Sequence, residues 1–488
     1  MGAVPRPETD AEGRRVTDIY LTLDQGGSTS RALVFDSSGL VVAKSAVDVA
    51  TVRPAPDRVE QDPEDLVKSL RRAIRDVVKQ LGRRTAELAC AGLATQRSSI
   101  AAWDRTSGGA LAPVLSWQDR RAASRLDGLE GEAERVRAIT GLRLSPHYGA
   151  TKLAWLLDNE PRVRAAFQAG NLAFGPLAAF LVHRLCDERP HVVDAANAAR
   201  TLLLDVRTCA WSSELLDLFG VPLTALPKVV ATRSEFGTLD IGPRKIPLVV
   251  VTGDQSAAFF AGGDPDPVVA SITFGTGAFV LRAVSGGEVN APALLATLVH
   301  HEDLVSTFAL EGTVNGAGSA LASVVAELGV RDSDLDLDRD LELVRDPPLF
   351  LNGVGGLAAP YWRSDFASRF VGDGETSAKL VAVLESVVFL VAEILEHMER
   401  VVGRPSRLRV GGGLAQLDGL CARLANVTGL HVERHDEVET TALGLARLLG
   451  ARPEVPEFEH FEPVADPALL ARRSRWRAAL EGDLAAGA

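Results

Sequence analysis

The chain has 488 residues, 46% of them hydrophobic and 24% charged. That composition suits two or three globular domains and excludes a single small module, a long disordered chain and collagen-like or mucin-like sequences. Lys and Arg number 52 against 64 Asp and Glu, a net charge of −12, the wrong sign for a nucleic-acid or anionic-membrane partner.

Four cysteines, Cys90, Cys186, Cys209 and Cys421, form no CxxC pair and read as reduced thiols. Met1 to Arg15 has no apolar core of a signal peptide, and the longest apolar stretch, Val387 to Leu395, is interrupted by Glu393. It falls well short of the roughly 20 residues that a bilayer requires, so a cytoplasmic protein is expected.

In chain order, Ile19 to Leu23 predicts a strand ending at Asp24, and Arg31 to Phe35 with Leu40 to Ala43 predicts a hairpin about Asp36-Ser37-Ser38-Gly39. Asp62-Pro63-Glu64 places a cap before Pro, and Leu66, Leu70, Ala73, Ile74, Val77 and Leu81 follow at helical spacing up to Gly82. Leu88 to Ala94 reads as a further strand, giving an α/β class.

A second strand opening, Leu248 to Thr252, ends at Gly253-Asp254, which suggests a domain boundary near Pro247. Ile272 to Thr273, Phe274-Gly275-Thr276-Gly277 and Ala278 to Leu281 repeat the strand, turn, strand layout of the N-terminus, as two halves of similar construction would. A long helix spans Ala378 to Val402. A strand, the turn Gly411-Gly412-Gly413 and a helical pattern over Leu414 to Val427 come next, and a surface helix is expected in the Ala-rich tail after Pro463.

The turn Asp24-Gln25-Gly26-Gly27-Ser28-Thr29-Ser30-Arg31 has the ingredients of a phosphate site: glycines that let successive N–H groups point inward, with hydroxyls beside them. Asp24 is placed to hold Mg²⁺. Gly275-Thr276-Gly277 is similar, and Gly411-Gly412-Gly413 would let a flat base lie against bare backbone. Each alone is also an ordinary turn; three together fit a nucleotide held between two domains.

Competing motifs fail. There is no GxxxxGK[ST], GxSxG or HExxH. Gly353-Val354-Gly355-Gly356 matches a loose dinucleotide fingerprint, but Pro360 blocks the helix that would follow. His300-His301-Glu302-Asp303 reads as a solvated turn rather than a metal cluster, since adjacent side chains diverge.

Ordered blocks carry a resemblance to a known family. They include Leu23-Asp24-Gln25-Gly26 with Ser30-Arg31, Val59-Glu60-Gln61-Asp62-Pro63, Thr95-Gln96-Arg97, Ser116-Trp117-Gln118-Asp119-Arg120-Arg121, and Ala150-Thr151-Lys152-Leu153. Further on come Ala196-Asn197-Ala198-Ala199-Arg200-Thr201, Gly253-Asp254-Gln255, Phe274-Gly275-Thr276-Gly277, Ala309-Leu310-Glu311-Gly312, Ala359-Pro360-Tyr361-Trp362 and Glu439-Thr440-Thr441-Ala442-Leu443-Gly444. From about Ile19 to Gly450 the chain resembles the FGGY carbohydrate kinases, with the glycerol-kinase branch the nearest.

The resemblance implies two ribonuclease-H-like, actin-type domains (16–247 and 248–466, with a tail 467–488), an active-site cleft between them, ATP and Mg²⁺, and phosphorylation of a hydroxyl on a small polyol or sugar. Glycerol is the leading substrate; another polyol or ketose, or a degenerate nucleotide-binding paralogue, is the alternative. No membrane or nucleic-acid partner is implied, and a homodimer or homotetramer is left open.

By the same resemblance Asp254 is the catalytic base and Asp24 the metal ligand. Gly26, Gly27, Ser28, Arg31, Gly275, Thr276 and Gly277 surround the phosphates, and Gly412 and Gly413 border the adenosine. Arg97, Trp117, Asp254 and Gln255 match the substrate-binding set. Ser98 stands where the family has Glu, and His147 where it has Tyr, with Tyr148 beside it. At about 1 to 2 kcal/mol per lost hydrogen bond, glycerol binding would weaken roughly 30- to 1000-fold unless another group substitutes. Gly27, Gly411 and Leu417 replace the usual Thr, Asp and Asn, and Arg363-Ser364 replaces Asp-Pro.

Overall fold

The computed structural model describes residues 18–284, 290–331, 335–434, 439–453 and 457–486; Met1 to Arg15, read above as lacking a signal peptide, lies outside them. Contacts divide the chain into two units. The first is Met1–Asp264 with Leu298–Thr307 and Glu439–Val455; the second is Pro265–Thr297 with Phe308–Val438 and Pro456–Ala488.

The first unit is built on a six-stranded sheet in the order Arg233–Asp240, Lys245–Gly253, Leu88–Thr95, Ile19–Gln25, Thr29–Asp36, Val41–Asp48. Its three central strands run parallel, and their C-terminal ends are level: Gln25 pairs with Thr95, and Thr95 with Gly253. The helix Pro63–Leu81 packs on the sheet. Asp62 Oδ1 accepts the N–H groups of Glu64 and Asp65 at 2.7 and 3.3 Å, while Leu66, Leu70, Ala73, Ile74, Val77 and Leu81 turn inward, as the spacing predicts.

The second unit has a sheet in the order Val305–Val314 (of which Phe308 onward belongs to this unit), Ala278–Val284, Val269–Phe274, Arg407–Gly411, His431–Arg434, Glu459–Phe461. Its strand directions from Val305–Val314 to Glu459–Phe461 repeat those of the first sheet, two antiparallel pairings, two parallel, one antiparallel. The chain thus builds the same sheet twice. Its core gathers around the helix Thr376–Val402, which is flanked by Leu408, Val410, Leu420 and Leu424.

Three expectations differ from this structure. The boundary lies after Asp264 rather than near Pro247, because Lys245–Gly253 is one strand of the first sheet and Pro247 pairs within it against Thr238. Asp254 and Gln255 therefore belong to the first unit. The tail is no separate segment: the helix Pro467–Ala486 counts with the second unit and buries Leu469, Trp476 and Leu480, Trp476 lying 5.5 Å from Phe389 between ring centres. His300, His301 and Glu302 end a strand instead of forming a turn, and the His300 ring packs 5.4 Å from that of Phe260.

Within the first unit the helix Thr440–Leu449 lies across the short helix Asp254–Ala258, and a Cβ on Gly444 would run into the Ala257 carbonyl. Gly444→Ala should push the two helices apart, costing about 1 to 3 kcal/mol. A thermal melt of the variant is expected to show a lower midpoint than wild type; an unchanged melt would show that this contact does not hold the helix beneath Asp254.

Candidate active site

The level strand ends bring four chain segments together in the first unit. Asp24 and the Gly26–Ser28 turn leave the first strand, Gln96-Arg97-Ser98 the second, and Asp254-Gln255 the third; Glu439 arrives at the start of Thr440–Leu449. Side chains at the C-terminal ends of neighbouring parallel strands converge by construction.

The turn after the first strand is held from behind. The carbonyls of Gly26 and Gly27 accept from Gln96 Nε2 (3.3 Å) and Gln61 Nε2 (2.7 Å), and that of Gly27 also from Thr51 Oγ1 (2.8 Å). The Ser28 carbonyl accepts from the Val49 N–H at 2.8 Å. A trans peptide sets N–H opposite C=O, so with these carbonyls turned inward the N–H groups of Gly27 and Ser28 face outward, at exposed positions.

The second unit repeats the device. The Gly275 carbonyl accepts from Gly318 N–H at 2.9 Å, and the Thr276 carbonyl from Ala317 N–H (2.9 Å) and from Ser319 N–H and Oγ (both 3.0 Å). The N–H groups of Thr276 and Gly277 are thereby directed away from that helix start. Gly412, at φ 94°, lies so close to the Phe274 backbone that a Cβ would strike its carbonyl, and Gly413 is open. Leu417 packs against the hydrophobic core of this unit.

Asp24 is 5% exposed, and its Oδ1 has no hydrogen-bond partner among the described residues. Burial first, then the negative charge of Asp254, push its carboxyl up to about 7, against the pull of Arg31; Glu439 adds to the push. The Arg31 guanidinium lies 3.5 Å from Asp24 and 3.8 Å from Glu439. Two carboxylates thus share one cation.

Asp254 begins its helix rather than capping it. Its Oδ1 accepts its neighbour Gln255 N–H at 2.7 Å and lies 3.9 Å from Arg97 Nε. Arg97 also donates to Gln255 Oε1. Gly253 makes this possible, since a Cβ there would meet Arg97 Cγ at 2.5 Å. Ser98 has φ 64°, and its buried hydroxyl has no hydrogen-bond partner among the described residues.

His147 is half-buried, its ring 5.7 Å from Trp117 and 5.0 Å from Tyr148. Burial and the surrounding cations, Arg200 foremost, hold it well below the usual histidine range, so it serves as a neutral ring. The expected residues of the first unit are therefore brought together, while Gly275, Thr276, Gly277, Gly412 and Gly413 form the turns of the second.

Two further residues matter to which the sequence assigned no role. Lys152 is fully buried and donates to the carbonyls of Ser98 (3.1 Å), Ser116 (2.9 Å) and His147 (2.8 Å), tying the three loops that present Arg97, Trp117 and His147. Glu439 joins Arg31 to the start of the helix whose Thr441 Oγ1 donates to the Asp254 carbonyl at 3.4 Å. The quoted blocks contained both residues; only a buried Lys amid apolar neighbours hinted at a role.

The model of the FGGY family of carbohydrate kinases, N-terminal domain, matches residues 19–261, and that of its C-terminal domain residues 270–452. The chain belongs to the FGGY family of carbohydrate kinases. It is 37% identical to a glycerol kinase of Methylobacterium nodulans, covering 94% of each chain, and 35% identical to one of Aromatoleum aromaticum, covering 94% of this chain and 98% of that one. Among solved structures, a Plasmodium falciparum glycerol kinase with ADP superposes with a TM-score of 0.86 at 23% identity, covering 96% of this chain and 98% of that one. A xylulose kinase from Rhodospirillum rubrum gives 0.83 at 19%, with the same coverage. These two share the fold.

Asp24 sets a pH signature. From about pH 4 to 7 the folded chain keeps a proton on Asp24 that the unfolded chain releases, so this carboxyl costs stability as pH rises and costs most above 7. Asp24→Asn should melt above wild type by a margin that is small near pH 5 and grows to its full size near pH 8. Calorimetry across that range checks it; a margin independent of pH would contradict the assignment.

Proposed function

We propose that this chain transfers the terminal phosphoryl group of ATP to a hydroxyl of a small polyol, with glycerol the leading candidate. The observation that carries the reading is Asp254 at a strand end, beside Arg97 and Gln255 and close enough to Asp24 for its charge to be felt there. The names of the curated relatives support glycerol.

Asp254 accepts the proton of the attacking hydroxyl as its oxygen bonds to the phosphorus and the bond to the ADP oxygen breaks; such help is worth about 10²–10⁴-fold. Arg97, Gln255, Trp117 and His147 hold the polyol, and aligning it removes up to about 7 to 11 kcal/mol of barrier. The outward N–H groups of Gly27 and Ser28, with Arg31, meet phosphate oxygens. In the second unit, Gly275, Thr276 and Gly277 do the same, and Gly412 and Gly413 leave bare backbone for adenosine.

Mg²⁺ fits Asp24, whose unpartnered Oδ1 and raised proton affinity call for a cation; when bound it neutralises phosphate charge. The need for ATP and four free cysteines support the expected cytoplasmic location. A longer polyol or a ketose is the second reading, favoured by Ser98. Its buried hydroxyl has no hydrogen-bond partner among the described residues, and a side chain smaller than the family's Glu suits a substrate with an additional hydroxyl beside Arg97.

The test is ADP release with Mg²⁺, ATP and, in turn, glycerol, tetritols, pentitols and ketopentoses. Turnover with at least one is expected, glycerol first. No release above background with any of them would contradict the reading.

A further inference from the structure

At the edge of the second sheet, Glu459–Phe461 pairs antiparallel with His431–Arg434, placing Glu433 directly opposite His460. Residues two apart on a strand share a face. His431 and Glu433 therefore lie on one side of this ribbon, and His460 and Glu462 follow on the same side. His431 Nε2 and His460 Nδ1 are 2.9 Å apart, and the ligand atoms of His431, Glu433 and His460 all lie within 4.8 Å of one another.

We propose that His431, Glu433 and His460 form a Zn²⁺ site that clips the edge strand Glu459–Phe461 to the sheet, separate from the phosphoryl-transfer residues. Two imidazoles and a carboxylate are a donor set suited to Zn²⁺, with water as the fourth ligand. Metal–nitrogen bonds of about 2.0–2.1 Å reach two nitrogens only a little farther apart than these.

The surroundings are those of a held site. Glu462 Oε1 accepts from His431 Nδ1 at 2.9 Å, which leaves the Nε2 lone pair directed at His460 and orients the ring as a carboxylate orients a ligating histidine. Arg407 and Arg409 lie 3.4 and 3.2 Å from the two oxygens of Glu433, fixing it while each oxygen keeps a lone pair. On binding, the proton between the two imidazoles moves to Nε2 of His460, so both rings ligate as neutral groups.

The experiment uses the full chain, stripped with a chelator and titrated with Zn²⁺ by calorimetry, beside His460→Ala and Glu433→Gln. His460 is exposed, so its variant should fold. One Zn²⁺ per chain is expected, with a rise in melting temperature, and affinity weaker by at least about tenfold in each variant. Absence of binding to wild type, or binding undiminished in His460→Ala, would overturn the site. The second outcome would place the ion elsewhere, for example at Asp24.

Discussion

The first unit depends on one constraint: three parallel strands of different origin in the sequence end at the same level. Gln25, Thr95 and Gly253 occupy one row of the ladder, and Asp24, the Gly26–Ser28 turn, Arg97 with Ser98, and Asp254 with Gln255 all lie within three residues of that row. A shift of one residue in either pairing would turn Asp24 to the opposite face and carry Asp254 away from Arg97. Small residues, Ala94 and Thr252, stand beside Asp24 in the preceding row and leave space for its carboxylate.

That placement creates an electrostatic tension which suits phosphoryl transfer. Asp24, Asp254 and Glu439 are negative, Arg31 and Arg97 positive, and Asp24 is held near a pKa of about 7 by burial and by its neighbour. A site that stores unfavourable carboxylate charge is poised to take up a cation, and a triphosphate needs one. The exposed N–H groups of the Gly26–Ser28 turn provide the complementary polarity, because Gln61, Gln96 and Thr51 hold its carbonyls on the other side.

Much of this was legible in the sequence wherever a local signal coincided with the fold. Apolar runs ending in Asp24 and Gly253-Asp254, the capped helix after Asp62 and the glycine turns all mark strand ends and helix starts. Long-range facts were not legible. Pro247 looked like a boundary because a second strand opening, Leu248 to Thr252, follows it, yet here the strand begins before it and continues through it to Gly253. Nothing local showed that Lys152 would bind three carbonyls from separate loops, or that Glu439 would return to Arg31 from far along the chain. His300 and His301 carried no strand signal of their own; they end a strand whose partner, Val305–Val314, begins just after Glu302.

The central claim is that Asp254 takes the hydroxyl proton. It is tested most directly by Asp254→Asn, measuring turnover with the best substrate and ATP affinity on the same preparation. The account predicts turnover reduced by at least about 10²-fold, with ATP affinity within a few-fold of wild type. Turnover equal to that of wild type would contradict it.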